Sequence, residues 1–406
     1  MSKANGAIEK KDTFLQHVSL KNYKSIKDVE IDFKPGLNII IGKNASGKTN
    51  FVNGLSMTLN FNYNDILDSE SVIGFFWGDR KIEIEALIRN DNSEEFLLHE
   101  YSDSPLGHDI FLKINDEKIE INDFDEIRYE LIEKELFLNC ILIKYGIQYK
   151  ESSSLINVPF SFTIVNNGKI SRELMSVANI SDNRTEFLLN FFHRLQLTVS
   201  ALRLKEKGLS DLDLKSEIIQ FSTMHFRGVN SVISKYTPIK EIRVNPDFKI
   251  IKEENGQKQS VVNFFLEFLI DNSWVTFNLL SDGTKRLFFI ISEMTEYAQI
   301  GDKDLNILLL EEPELGIHPH QLHQLMQFIK EQSKEKQIIL TTHSPQVLDI
   351  LGPDELDRVI ICHSDPKNGT KLSHLTEKEM AKAKKYMKEE AFLSDYWRFS
   401  DLEPAS

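Results

Sequence analysis

The chain is 406 residues long, 41% hydrophobic, and carries a formal net charge of −14. That length and apolar content can bury a large core, more in keeping with two lobes than one, and the acidic balance argues against a generally basic surface that holds nucleic acid by phosphate neutralisation alone. The two cysteines, Cys140 and Cys362, are too few and too far apart for a disulfide framework or a zinc knuckle, which fits a reducing, cytoplasmic setting.

The N-terminal lysines of MSKANGAIEKKDTF have no apolar segment behind them. No apolar run approaches the roughly 20 residues that span a bilayer, so the expectation is a soluble, unprocessed protein with no membrane partner. In chain order, FLQHVSL and DVEIDF (14–20 and 28–33) alternate as strands, Pro35-Gly36 makes a turn, and LNIII (37–41) is a near-continuous apolar run. Such a run suits a strand covered on both faces of a parallel sheet. A helical pattern starts at Lys48, with Phe51, Val52 and Leu55 on one side. Residues 80–165 read mostly as strands, KIEIEALI, EFLLHEY, DIFLKI and FSFTIV, with a helix interposed near Asp125 to Phe137. Residues 184–236 read as two amphipathic helical stretches broken around Lys207-Gly208. Strands return over 241–279, and helix and strand then alternate to the C-terminus. This pattern predicts an α/β lobe made from both termini: residues 1–165 with the glycine-rich loop and a β-rich part, a helical insertion over 166–240, and residues 241–406 completing the lobe.

The loop after LNIII reads Gly42-Lys43-Asn44-Ala45-Ser46-Gly47-Lys48-Thr49, matching G-x-x-x-x-G-K-[ST] between a strand and a helix. Its glycines let backbone N–H groups wrap a phosphate at a helix N-terminus, Lys48 reaches the outer phosphates, and Thr49 ligates magnesium. A chance turn in a Gly/Ser-rich loop is the bland alternative, and the flanking strand and helix weigh against it. Further on, NILLLEEPELGIHP (306–319) is an apolar strand that ends in Glu311 and Glu312, with Glu314 two positions later. Carboxylates at the end of a buried strand are costly unless a cation or a hydrogen-bond network takes up their charge. Magnesium is that cation in a nucleotide-binding sheet, with Glu311 as its ligand and Glu312 polarising the attacking water.

QIILTTHSP (337–345) is another apolar strand, and it delivers His343 to the sheet edge where open α/β folds bind ligands. There an imidazole can contact a terminal phosphate. LSDGTKR (280–286) places the Ser281 hydroxyl and the backbone around Gly283 at a helix N-terminus, which is either an anion site or a plain serine cap. His318, His320 and His323 have metal-like spacing, but a helix opened by Pro319 accounts for them better, since carboxylate and cysteine partners at ligand spacing are lacking.

Taken in order, GKNASGKT, LSDGTKR, ILLLEEPE and TTHSP resemble the phosphate loop, signature, Walker B strand and switch histidine of the ABC superfamily's nucleotide-binding domain. The resemblance implies an ABC-type P-loop ATPase lobe, with a strand-rich and helical insertion between Walker A and the signature, that uses ATP and Mg2+. It implies that Lys48 and Thr49 are the Walker A pair, in a cradle running from Gly42 to Asn50. Ser281 and Gly283 then form the signature, Glu312 is the catalytic glutamate and His343 the switch histidine. Glu311 departs from the aspartate that most ABC proteins use as the magnesium ligand, a change the chemistry tolerates.

Within that superfamily, LKNYKSIKDVEIDFKPGLNIIIGKNASGKTNF, with Asn50 after the Walker threonine, is similar to the RecF, SMC and OLD branch. LSDGTKR in place of a transporter-type LSGGQ, and EEPELGIHP, most resemble OLD-like ATPases, which serve anti-phage systems such as Septu and PARIS. The resemblance covers residues 14–60 and 270–362. OLD nucleases carry a C-terminal Toprim domain, whereas 63 residues follow His343 here, so the expectation is an ATPase without a nuclease of its own. SMC proteins carry a long coiled coil for which the insertion has no room.

The implied mechanism is an ATP-sandwich homodimer, with higher assembly left open, that controls a separate nuclease-like effector in bacterial anti-phage defence. The alternative is a RecF-type repair ATPase that binds DNA directly, for which Arg194, Arg203, Lys205 and Lys207 supply a basic stripe on the insertion. A transporter's energising subunit is a third reading, disfavoured by the long insertion and the signature. Tyr23 either stacks on adenine or is a core residue. Gln148 is a candidate Q-loop glutamine. The C-terminal FLSDYWRF either docks a partner or packs back on its own domain.

Overall fold

The computed structural model describes residues 13–61, 69–77, 80–90, 106–115, 117–121, 124–143, 160–165, 191, 194–195, 197–199, 210–252, 258–297, 305–389 and 392–399. In chain order the strands are β1 (Thr13–Tyr23), β2 (Ile26–Asp32), β3 (Leu37–Ile41), β4 (Ser69–Trp77), β5 (Arg80–Asn90), β6 (Leu106–Ile114), β7 (Glu117–Ile121), β8 (Leu138–Ile143) and β9 (Phe160–Val165). They continue as β10 (Glu241–Val244), β11 (Lys249–Lys252), β12 (Lys258–Phe264), β13 (Leu266–Ile270), β14 (Ser273–Thr276), β15 (Leu305–Glu311), β16 (Gln337–Thr342), β17 (Val359–Asp365) and β18 (Gly369–His374). The helices are α1 (Lys48–Leu59), α2 (Phe124–Glu133), α3 (Asp211–Tyr236), α4 (Asp282–Tyr297), α5 (Pro319–Gln332), α6 (Glu377–Lys388) and α7 (Leu393–Phe399). None of the described helices is long and apolar enough to cross a membrane.

The described chain divides into two compact units. The first comprises residues 1–143, 300–314 and 326–406, and holds a twelve-stranded sheet in the order β7-β6-β5-β4-β1-β2-β18-β17-β3-β16-β15-β8. Its middle is parallel: β17, β3, β16, β15 and β8 run side by side in one direction. β3 and β16 are buried at every position, because neighbours cover both of their faces. The remaining strands pair antiparallel, β1 with β2 and β4, and β4 through β7 as a meander. Two buried amides pin the strand entries. Asn38 bonds the backbone of Lys34 and Gly36, and Gln337 bonds both Leu15 N and Leu15 O. Each satisfies backbone groups that a buried turn would otherwise leave open.

Helix α1 buries Phe51, Val52, Leu55 and Leu59, the face marked by the sequence pattern. Tyr23 is a core residue: it is 4% exposed and its hydroxyl donates to Met57 Sδ at 3.5 Å. After β16 the chain departs from simple helix and strand alternation. Two 3-10 turns, Pro345–Ile350 and Leu356–Arg358, lead into β17, which pairs antiparallel with β18. A hairpin satisfies its ladder within a few residues, so no crossover helix is needed between those strands. FLSDYWRF packs back onto its own unit: Leu393 and Trp397 are buried, and Ser394 donates through N and Oγ to Asp349 in the first 3-10 turn. Burial raises the Asp349 carboxyl, and the two Ser394 bonds oppose that shift.

The second unit comprises residues 144–299 and 315–325. It contains two three-stranded sheets, β10-β13-β14 and β11-β12-β9. Rings fill its core: Phe268 meets Phe288 edge-on at 5.1 Å and Phe277 at 5.8 Å. Its boundaries differ from the sequence divisions at 165/166 and 240/241. β9 pairs with β12 and α3 packs on α4 and β10, so strands on both sides of the helical stretch share its unit. EFLLHEY, the break at Lys207-Gly208, Gln148, Arg203, Lys205 and Lys207 lie outside the described residues. Arg194 is described and exposed.

Candidate active site

Three parallel neighbours, β3, β16 and β15, end on one edge of the large sheet, and each delivers one group of polar residues there. From β3 the chain enters the loop Gly42 to Thr49, whose first amide, Gly42 N, donates to Thr342 O at the end of β16. Ala45 and Gly47 both take left-handed backbone, φ 63° and 103°, which turns successive N–H groups to one side, as an anion cradle needs. Two glycines are required for space as well. A Cβ on Gly42 would sit 2.1 Å from Cys362 O, and one on Gly47 1.9 Å from Thr370 Oγ1. β17 and β18 therefore press directly against the loop. Beneath it the Cys362 thiol, 3.4 Å from Ser46 Oγ, is raised by burial, with the Ser46 bond and the nearby Lys48 charge opposing.

Lys48 is 4% exposed and donates from Nζ to Gly42 O at 2.7 Å and Lys43 O at 2.9 Å. Its ammonium also lies 4.0 Å from Glu312 Oε1. The buried lysine is thus held by its own loop with its charge turned toward the end of β15. Thr49 is exposed in the first turn of α1. Asn50 donates to Ser25 Oγ at 2.8 Å, and Ser25 Oγ in turn bonds Thr370 Oγ1 at 2.7 Å. This chain of hydroxyls ties the loop's far side to the β1–β2 turn and to β18.

Glu311 is the last residue of β15, paired with Thr341 in register. Glu312 follows with φ 43° while its amide still donates to Thr341 O at 2.9 Å. A left-handed glutamate is a locally strained conformation of the kind found at functional sites. It turns the carboxylate toward Lys48 and toward His343, whose Nδ1 lies 3.4 Å from Glu312 Oε1. Glu314 is buried behind them. One of its oxygens accepts from Thr342 Oγ1 at 2.5 Å and from His343 N at 3.2 Å, and lies 3.4 Å from His343 Nδ1.

Oxygen donors suit magnesium, which binds through few protein ligands and takes the rest from water and phosphate. Thr49 and Glu311 provide such donors, and the left-handed cradle at Ala45 and Gly47 fits the phosphates that would accompany the ion. In the second unit, Ser281 caps α4 by accepting from Thr284 N at 3.2 Å. Gly283 is buried, and a Cβ there would lie 2.8 Å from Gly316 O. Ser281 and Leu279 are exposed. α5 begins at Pro319 as the sequence suggests, and His318 Nδ1 accepts from His320 N.

The structure brings Lys48 and His343 each within 4.0 Å of Glu312 at one edge. Glu314 is the residue that sequence reasoning left without a role. Its signal was the third carboxylate of EEPE, next to a strand of buried residues.

A 42-residue segment, 10% of this chain, is 45% identical to the DNA replication and repair protein RecF of Streptococcus agalactiae serotype Ia and covers 11% of that protein. RecF of Streptococcus pneumoniae strain CGSP14 is 48% identical over 42 residues, 12% of its length. The matched stretch thus spans about a tenth of these curated relatives. An SMC head solved bound to the C-winged helix domain of ScpA superposes with a TM-score of 0.54 at 14% identity, over 91% of this chain and 99% of that one, which shows a shared fold. The model of the family described as "AAA domain, putative AbiEii toxin, Type IV TA system" matches residues 37–349, from the first residue of β3 to just past His343, and the chain belongs to that family.

Proposed function

We propose that this chain binds and hydrolyses ATP at the edge formed by β3, β15 and β16, and that two copies close around two ATP molecules. The observation that carries this reading is the placement of Glu312, 4.0 Å from the Lys48 ammonium and 3.4 Å from His343 Nδ1. A carboxylate thereby stands in reach of both an imidazole and the phosphate-loop lysine. In this reading the loop amides and Lys48 hold the phosphates, and Thr49 and Glu311 hold magnesium, which supplies charge neutralisation when bound. Glu312 orients the attacking water and takes its proton, and His343 contacts the γ-phosphate. Exposure of Ser281 and Leu279 at the start of α4 supports a signature that caps the nucleotide of a second copy. Closure is then conditional on the γ-phosphate, because both copies contact it.

The separate effector, a nuclease in anti-phage defence, is supported by the OLD-like motifs and by the family's toxin–antitoxin description. The short RecF match favours a second reading, a repair ATPase that acts on DNA. One experiment addresses both: ATP hydrolysis by the chain and its Glu312→Gln variant, with sizing in ATP, with and without double-stranded DNA. The expected result is a loss of about 10²-fold or more in hydrolysis, with the variant trapped as an ATP-bound dimer. Hydrolysis by Glu312→Gln at the wild-type rate would overturn the assignment, and stimulation by DNA would favour the repair reading.

A further inference from the structure

The end of β16 rests on a carboxylate to which the proposed reaction gives no part. Glu314 has a side chain only 6% exposed, in a place where an apolar residue would cost nothing in desolvation. One oxygen, Oε1, takes the Thr342 hydroxyl at 2.5 Å and the His343 amide at 3.2 Å. Since Thr342 Oγ1 gives its proton to Glu314, it can accept from Ser344 N, which lies 2.9 Å away. Three consecutive residues, Thr342, His343 and Ser344, are thereby gathered on one fixed anion. The other oxygen, Oε2, is enclosed without a hydrogen-bond partner among the described residues. A half-satisfied buried carboxylate calls for an explanation beyond packing.

The imidazole of His343 is the ionisable group that Oε1 faces. His343 Nδ1 is itself enclosed without a hydrogen-bond partner among the described residues; it lies 3.4 Å from Glu314 Oε1 and also 3.4 Å from Glu312 Oε1, so two carboxylates face the same ring nitrogen at charge-contact distance. They differ in how they are held. Glu314 is fixed by two donors at the end of β16 and just past it, whereas Glu312 is more exposed, stands on a left-handed backbone and faces Lys48. We infer that Glu314 is the positioning residue of this site: it holds the His343 backbone through its amide and faces the Nδ1 edge of the ring with its charge, which leaves Nε2 for the nucleotide and Glu312 for water. The inference rests on the reading of His343 as a nucleotide-contacting residue, but the placement of the ring can be tested apart from it.

The test is NMR of the full chain carrying 13Cε1-labelled histidine, with the His343 signal assigned by its loss in His343→Ala. Glu314→Ala is expected to move the His343 signal and leave the other histidines in place; an unmoved His343 signal overturns the inference. Hydrolysis is measured on the same samples. Glu314→Ala is expected to lower turnover about 10-fold, as loss of an outer-sphere partner does, with ATP affinity unchanged. In the His343→Ala background it is expected to add no further loss. A full further loss there means that Glu314 does not act through His343, and overturns the proposal. Should Glu314→Ala fail to fold, Thr342→Val removes one clamp donor at similar volume and must displace the same signal, and an unmoved signal again overturns it. Wild-type turnover in His343→Ala would remove the catalytic reading of that histidine, while the resonance still decides whether Glu314 holds the ring.

Discussion

The sheet edge of the first unit and the aromatic core of the second are both densely packed, but their side chains are arranged for different ends. At the edge, Lys48, Glu312, Glu314 and His343 are charged or ionisable groups packed within 4.0 Å contacts, with strained backbone at Ala45 and Glu312. In the second unit Phe268, Phe277 and Phe288 are fully buried rings in ordinary edge and tilted contacts. Polar groups gathered at such expense indicate chemistry, whereas the rings contribute stability. The edge should therefore be sensitive in activity and tolerant in stability, and the ring core the reverse.

The largest effect is expected in the ring core. Phe268→Ala removes a side chain with no solvent exposure and should destabilise its unit by about 3–5 kcal/mol, read as a lower denaturation midpoint. A midpoint unchanged from wild type would erase the contrast. At the edge, Lys48→Ala should weaken ATP binding by about 10- to 100-fold, the worth of one hydrogen bond between charged groups, as measured by calorimetry. Its thermal midpoint should fall far less than that of Phe268→Ala, and an equal fall would mean that the lysine is chiefly structural.

The smallest effect sharpens the comparison with a surface feature that belongs to neither region. Thr376 and Glu379 form a reciprocal cap at the start of α6, and Thr376→Ala should cost ~1 kcal/mol without changing hydrolysis. The Thr376 hydroxyl and amide hold the Glu379 carboxyl below the usual glutamate range. A depressed carboxyl adds stability above its unfolded pKa and loses it as pH falls through the folded value. The acid limb of the stability curve should therefore flatten in Thr376→Ala, and an unchanged limb would show that the cap is not what titrates.

Much of the edge was legible in the sequence because its chemistry demands particular residues at fixed spacing. GKNASGKT requires glycine where β17 and β18 press on the loop, and the apolar runs LNIII, ILLL and QIIL read as buried strands. The α1 face and the Pro319 start of α5 were readable for similar local reasons. What was not readable depended on pairing across long separations. β9 joins β12 nearly a hundred residues later, which moves the unit boundary, and the β17–β18 hairpin replaces the expected alternation. Tyr23 was open between adenine and core until its contact with Met57 placed it.

The sequence alone determined the residue types at the candidate site and the strands that carry them, because phosphate cradles and strand-end carboxylates leave local signatures. Only the tertiary structure decided that Glu312 and Glu314 share one imidazole. That arrangement depends on the parallel register of β15 against β16 and on the backbone turn at Glu312, and register is set by packing between segments, which no local pattern encodes.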